Sequence, residues 1–458
     1  MTTAKRRLGT KLTTSFLLAT VFAAASASAQ SKARIVRLSE VEGTVQIDRA
    51  AGDGFDKAFM NLPVIEGSKI KTGKDGRAEI EFEDGSALRL APSSEVAFTT
   101  LSLGNDGQKM STVQLISGTV YANLHPKNAY GKEKAGDQFV LNFGQESIAV
   151  PDPAHFRVQL DGESKAVVAV FKGKVNASAP SGQIEVAERH SATIDLAEAE
   201  SKDSDAKNDE SKKDAFVVAK NYETEPSDAW DHQQSDYHDR YASAGGSSIA
   251  SPYAYGMSDL NYYGNFMTVP GYGNVWQPYF IGANWSPFQD GGWAYYPGAG
   301  YVFASGYPWG WMPYRYGNWA FVPGFGWIWQ PGYANSWNAV PRVTGTGFAS
   351  KVPTVPASGH QTVMVGRGLS ANPSGGLPRH VTINPNSAGY GVPRGSINHL
   401  DHLARTMNKT DRPVVAATAP PPTAMPTTGS GSAFGAAPTT ATGTMSSHRA
   451  TGTSMRPH

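Results

Sequence analysis

Tyr316-Gly-Asn-Trp319-Ala-Phe-Val-Pro323-Gly-Phe-Gly326-Trp-Ile-Trp329-Gln-Pro331 repeats an earlier stretch, Tyr263-Gly-Asn-Phe266-Met-Thr-Val-Pro270-Gly-Tyr-Gly273-Asn-Val-Trp276-Gln-Pro278. A weaker copy, Trp293-Ala-Tyr-Tyr-Pro297-Gly-Ala-Gly300-Tyr-Val-Phe303, lies between them. In each copy Pro-Gly supplies the centre of a tight turn, and aromatic or branched residues on both sides favour extended backbone, so each predicts a β-hairpin. An isolated hairpin is marginal in water, which predicts that the copies pack together or against a neighbouring module. Working outward, Trp285, Trp311 and Trp337 keep a 26-residue step, and nine of the chain's 10 tryptophans fall between Leu260 and Val340, where Asp290 and Arg315 are the only charged residues.

The rings divide by context. Phe266, Pro270, Trp276, Trp293, Trp319, Pro323 and Trp329 recur at matching places, the pattern of residues that hold a repeated fold. Trp285, Trp309 and Trp311 sit beside Pro and Gly in the connecting loops and are the candidate ligand contacts. Sugar C–H faces stack on such rings, and the recurring Asn265, Asn318, Gln277 and Gln330 could take up hydroxyls, so cell-wall glycan is one candidate ligand.

Upstream, residues 34–195 alternate apolar and polar with Asp-Gly turns at Asp75-Gly76, Asp84-Gly85, Asp106-Gly107 and Asp161-Gly162. The Arg77 to Leu90 hairpin is the clearest: Ala78, Ile80 and Phe82 share one face and Glu79, Glu81 and Glu83 the other, which predicts one buried and one wet face. Further strands are expected at 41–47, 96–103, 113–116, 139–143, 155–160 and 167–171. The chain has no cysteine, so disulfides and thiol chemistry are excluded and packing alone must hold it.

The ends and the middle read differently. Lys5-Arg6-Arg7 and Lys11 precede the apolar run Phe16 to Ala25, and Ala27-Ser28-Ala29 follows, the pattern of a Sec-type signal cut near Ala29; the mature chain is expected in the periplasm or secreted, without a membrane-spanning segment. Between Asp195 and Asp214 stand eight acidic residues and four lysines, the composition of a linker. A short helix is expected after it, with Trp230, Tyr237 and Tyr241 on one face; its Asp231, His232, Asp236, His238 and Asp239 are better explained as a solvated polar face than as metal ligands. From Gly345 onward Pro, Gly, Thr, Ala and Ser predominate, with nine Lys or Arg against two Asp, predicting a mostly disordered tail with a short helix at 396–407.

Val41-Glu-Gly43-Thr-Val45, the Asp84-Gly85-Ser86 hairpin and Leu115-Ile-Ser-Gly118-Thr-Val-Tyr121 resemble the FecR domain, over roughly residues 34–195. The aromatic stretch Tyr307-Pro-Trp309-Gly-Trp311-Met-Pro313 and its continuation to Pro331 resemble a Trp/Tyr-rich family without assigned activity, found downstream of FecR-like modules in exported bacterial proteins. The expected architecture is all-β: signal peptide 1–29, FecR-like β domain 30–195, acidic linker with a short helix 196–259, aromatic β-hairpin repeats 260–340 and a low-complexity tail 341–458.

The expected function is that of a non-catalytic envelope protein, needing no cofactor and no metal, whose partner is an envelope polysaccharide or an envelope protein. FecR-type signalling is an alternative that the resemblance implies, and a protein–protein scaffold is a second. The aromatic module has Asp290 but no histidine, and His125, His155 and His190 upstream stand outside any hydrolase or phosphate-binding motif, which argues against an enzyme. With a net charge of +1 and a sparse basic tail, nucleic acid is not an expected partner. Oligomeric state is not legible.

Overall fold

In the computed structural model the described residues are 34–104, 108–125, 137–162, 164–196, 216–242, 253–332, 337–345, 352–354, 360–369, 378–410 and 412–419. The signal-peptide expectation, the acidic run 197–215 and the last 39 positions, 420–458, lie outside them. The described residues all fall within one compact unit. No described helix is long and apolar enough to cross a membrane.

Two nine-stranded sheets pack face to face. One, here the seam sheet, includes Pro63–Val64, Val36–Glu42, Arg77–Glu81, Ala87–Leu90, Thr119–Leu124, Ala154–Asp161, Lys165–Lys172, Ser191–Asp195 and Phe216–Ala219 in spatial order. The other contains Lys69–Thr72, Glu95–Leu103, Lys109–Ser117 and Gln138–Phe143, the last two paired in parallel. Between the sheets, Leu38, Ile80, Leu90, Phe98, Val113, Phe143, Phe156 and Val168 are fully buried. The alternation that sorts these residues inward is the period of two of a pleated strand. The Asp84-Gly85 turn closes the expected hairpin, with Ala78 opposite Leu90 and Glu81 opposite Ala87.

The three aromatic copies are hairpins: Gly264–Val269 with Gly273–Pro278, Gly291–Tyr296 with Gly300–Ser305, and Asn318–Val322 with Gly326–Gln330. Gly324 and Gly326 both take positive φ, which side-chain-bearing residues avoid and which the Pro-Gly-Phe-Gly turn needs. They do not form a uniform stack. The first and third share a five-stranded sheet through Trp276 opposite Trp329, while the middle one joins a three-stranded sheet with Val363–Val365. The difference follows from side chains. The middle copy carries Ala294, Tyr296, Val302 and Ala304, and all four enter the sandwich core. Tyr296 also donates its hydroxyl to the Pro63 carbonyl at 2.6 Å.

Two parts of the chain depart from their compositional reading. Within the expected linker, Phe216–Ala219 extends the seam sheet, and the short helix expected there, α1 (Asp228–Tyr241), is followed by a second, α2 (Met257–Tyr263), on the module boundary. Within the expected tail, α4 (Leu400–Thr410, after the four-residue α3, Met312–Arg315) and the paired strands His380–Ile383 and Val414–Ala417 pack on the aromatic core. Val381, Ile383, Val392, Ile397, Leu400, Ala404 and Met407 are buried there, the last four within the stretch 396–407 expected to be helical. Sparse apolar residues suffice because the tryptophan cluster already offers a large apolar surface to receive them.

Candidate functional site

The face of the seam sheet expected to be wet is covered. Register places two polar rows across it: Glu79, Arg89, Tyr121 and Arg157 are successive cross-strand neighbours, as are Arg37, Glu81, Ala87, Asn123 and His155. Glu79, Arg37 and Arg89 are each 0% exposed. The alternation sorted the faces correctly, but a polar face can be buried when each charge meets an opposite one.

The opposite charges come from three later segments. From α1, Asp231 takes Arg89 at 2.7 Å and His155 at 2.6 Å, and Asp228 pairs with Arg157 and accepts the Tyr121 hydroxyl at 2.8 Å. The same helix sends His238 to Glu79 at 3.0 Å. From α2, Asp259 pairs with Arg37 at 2.6 Å, and the preceding Gly256 N–H donates to Glu81 at 3.0 Å. From the far end of the chain, Arg394 reaches Glu79 at 2.7 Å, Asp259 at 3.1 Å and the Ser39 carbonyl at 3.0 Å. The aromatic module adds backbone acceptors: Pro308 for Arg37 at 2.7 Å, and Ser305 and Tyr307 for the Asn61 amide at 3.0 and 2.8 Å. The polar face of α1 therefore serves the seam, with Asp231 and Asp228 buried rather than solvated. Acids in the first turn also suit the positive end of the helix dipole.

Burial and pairing compete at each carboxyl. Burial alone would raise Glu79, Asp231 and Asp259; the neighbouring cations Arg394, Arg89, Arg37 and the histidines outweigh it and hold all three below the usual carboxylate range. Glu40 goes the other way. Burial pushes it up to about 8, Arg394 only partly opposes this from 3.8 Å, and Glu42, Glu79 and Asp259 add repulsion. Its Oε2 has no hydrogen-bond partner, as suits a neutral carboxyl. Glu42 and Glu81 are also raised, chiefly by burial.

The sign of the resulting pH dependence is fixed. A folded-state pKa of about 8 against an ordinary 4.5 means that the native chain holds a proton which the unfolded chain has released, so stability falls as pH rises between those values. At about 1.4 kcal/mol per unit, moving from pH 5 to pH 8 costs on the order of 4 kcal/mol at this site. Glu79, Asp231 and Asp259 contribute the opposite slope, lost only as pH falls below the ordinary carboxylate range. Urea unfolding of Glu40→Gln at the two pH values is expected to show a markedly smaller loss of stability than the parent; an equal loss in both would place the titrating group elsewhere.

The loop tryptophans lie in the interior with the repeat tryptophans. Trp309 and Trp311 are 0% and Trp285 3% exposed, as buried as Trp276, Trp319 and Trp329. The expectation that they face a ligand is thus corrected: a Pro-Gly loop bends the backbone but also turns a large ring inward when a ring cluster stands beneath it. Trp309 is the hub. Its ring lies 4.9 Å from Trp276, 6.0 Å from Trp319, 6.2 Å from Trp285 and, stacked, 5.0 Å from Tyr307, and its Nε1 donates to the Ala388 carbonyl at 2.6 Å. Phe266 is half-buried and Trp293 buried on the same cluster. The recurring glutamines have structural partners too: Gln277 donates to the Phe325 and Trp327 carbonyls at 2.7 and 3.0 Å, and Gln330 to Tyr272 at 3.2 Å, so each braces the turn of the other hairpin.

The candidate acid–base residues are likewise engaged. Asp290 pairs with Arg367 at 2.7 Å and accepts the Tyr307 hydroxyl at 3.0 Å, and His190 Nδ1 lies 2.8 Å from the Glu188 carbonyl. His125 is mostly buried, and burial lowers its imidazole. What sequence reasoning missed is Arg394 and the α1 acids as partners of the sheet. Only the direct cross-strand pair Glu79 and Arg89 could have been read from hairpin register.

Residues 68–176 match the FecR protein family, and residues 257–358 match a family of unknown function, DUF6600. No curated protein matches the chain. Two crystal structures of a candidate anti-sigma factor from Parabacteroides distasonis ATCC 8503 are similar at 14% and 15% identity, each with a TM-score of 0.26, covering 37% and 38% of this chain and 71% and 72% of theirs.

Proposed function

We propose that this chain, a FecR domain followed by a DUF6600 domain, is an exported, non-catalytic scaffold of the bacterial envelope that binds another envelope protein. The observation that carries this reading is the seam: the second domain and the Arg394 segment bury their charges on the FecR sheet and so act as its partner in cis. The tryptophans that would have served as glycan platforms are buried in the aromatic core. Rings that do face solvent are Phe321 and Phe325, 50% and 47% exposed, on the third hairpin. Two half-exposed phenyl groups on a braced turn suit a protein contact, where aromatic anchors contribute most of the binding energy. Export with cleavage near Ala29 belongs to the same proposal and rests on the basic and apolar run at the start of the sequence.

A photoreactive phenylalanine analogue placed at Phe325 in intact cells tests it. The expected result is a discrete, protease-sensitive adduct that is absent when the analogue replaces the exposed Lys174. An adduct sensitive to glycan hydrolases instead, or equal labelling from both positions, would overturn the protein-scaffold reading.

A further inference from the structure

A cluster of three metal-ligating side chains lies where the FecR sheet meets α1. His155, Asp231 and His232 bring one ligand atom each to within 4.8 Å of one another. His155 comes from the Ala154–Asp161 strand, and the other two are adjacent on α1, so the set exists only once the seam has formed. We propose that these three residues bind a borderline divalent transition metal, Zn2+ in the first instance, which staples α1 to the FecR sheet.

The donor set decides the class of metal. Two imidazoles and one carboxylate suit Zn2+, Co2+, Ni2+ or Cu2+, whereas Mg2+ and Ca2+ prefer all-oxygen cages. Asp231 is arranged as a monodentate ligand: Arg89 holds its Oδ1 at 2.7 Å, and Oδ2 faces His155 Nε2 at 2.6 Å. Arg89 is in turn neutralised by Glu79 at 2.8 Å, so its charge is shared rather than presented to an incoming cation. Phe171 walls the site, its ring 5.1 Å from His155 and 5.3 Å from His232, and so excludes water from one side. His232 is exposed and leaves the opposite side open for entry and for a water ligand.

The required movement is small. Ligand bonds of about 2.0–2.1 Å at tetrahedral angles place ligand atoms roughly 3.3 Å apart. The ion therefore enters between His155 Nε2 and Asp231 Oδ2, opening that pair slightly, while rotation of the exposed His232 closes the rest. Because His155 lies on the sheet and the other two ligands on the helix, metal binding stabilises the joined arrangement over any state in which they separate.

The test uses the full mature chain without an affinity tag, stripped with chelator and titrated with ZnCl2. Parent protein is expected to gain roughly 5 °C in melting temperature at about a hundredfold excess over Kd, and to show the visible absorption of tetrahedral Co2+ when that ion is substituted. His232→Ala, whose side chain is exposed, is expected to melt as the apo parent does but to lose at least tenfold in affinity and most of the thermal shift. His155→Gln should lose the Co2+ spectrum as well. The six histidines at 360, 380, 399, 402, 448 and 458 are present in every variant and supply the background. A thermal shift and affinity unchanged in His232→Ala, or no shift in the parent, would overturn the proposal.

Discussion

A chain ending at Gly345 is expected to lose its cooperative melting transition, whereas one ending at Ala419 should melt as the full chain does. The shorter chain lacks Arg394 and so leaves Glu79 and Asp259 buried with one cation fewer. Breaking a buried ion pair from one side costs roughly 3–5 kcal/mol, because the abandoned charge stays desolvated. It also removes Val381, Ile383, Val392, Ile397, Leu400, Ala404 and Met407 from the aromatic core, at about 1.5–3 kcal/mol for each large side chain. The Ala388, Val392 and Ile397 carbonyls, which accept from Trp309, Tyr263 and Tyr262, go with them. Together these losses reach the 5–15 kcal/mol, roughly, that a whole domain has to spare. Circular-dichroism melts of the two truncations check this; an unchanged transition in the Gly345 chain would mean that the packed tail is dispensable. Arg394→Met separates the contributions and should cost about the ion-pair portion alone, roughly 3–5 kcal/mol.

The second large effect is that of Trp309→Ala with Trp311→Ala. Each ring is fully buried, and Trp311 also lies 5.2 Å from the Arg315 guanidinium and 5.4 Å from Tyr255. Deleting a buried tryptophan costs roughly 3–5 kcal/mol through lost transfer energy and the cavity left behind. Both rings belong to one buried cluster, so the pair need not sum, but a combined loss above about 5 kcal/mol is expected. Denaturant titration should show the double variant unfolded or melting far below the parent. By contrast, Phe321→Ala, at a half-exposed position, should change stability by less than about 1 kcal/mol. A double variant as stable as the parent would return these rings to the surface, where the loop context alone had placed them.

Much of the architecture was legible from local pattern. The Asp-Gly turns at Asp75-Gly76, Asp84-Gly85 and Asp161-Gly162, the alternation of Arg77 to Leu90 and the Pro-Gly repeats each state a backbone preference that the fold keeps, whereas Asp106-Gly107 lies outside the described residues. Long-range pairing was not legible. Glu79 and Glu81 look solvated because nothing near them in sequence says that Asp259, His238 and Arg394 will cover them. A buried polar face and a wet one have the same period. The same limit hid the site at His155, 76 residues from Asp231. Trp309 was misplaced for a related reason: Pro and Gly report a turn, and whether its ring points inward depends on the cluster formed by Trp276, Trp285 and Trp319.

The FecR and aromatic domains pack together through a buried ionic seam. Proteolytic nicking checks this, because the acidic stretch 197–215 runs between Ser191–Asp195 and Phe216–Ala219, the edge strand that leads on to α1 and the aromatic domain, and has the composition that proteases cut first. After complete cleavage there, the two fragments are expected to co-elute in native size-exclusion chromatography at the mass of the uncut chain and to part only in denaturant. Separation into two folded fragments under native conditions would mean that the seam does not hold the two parts together.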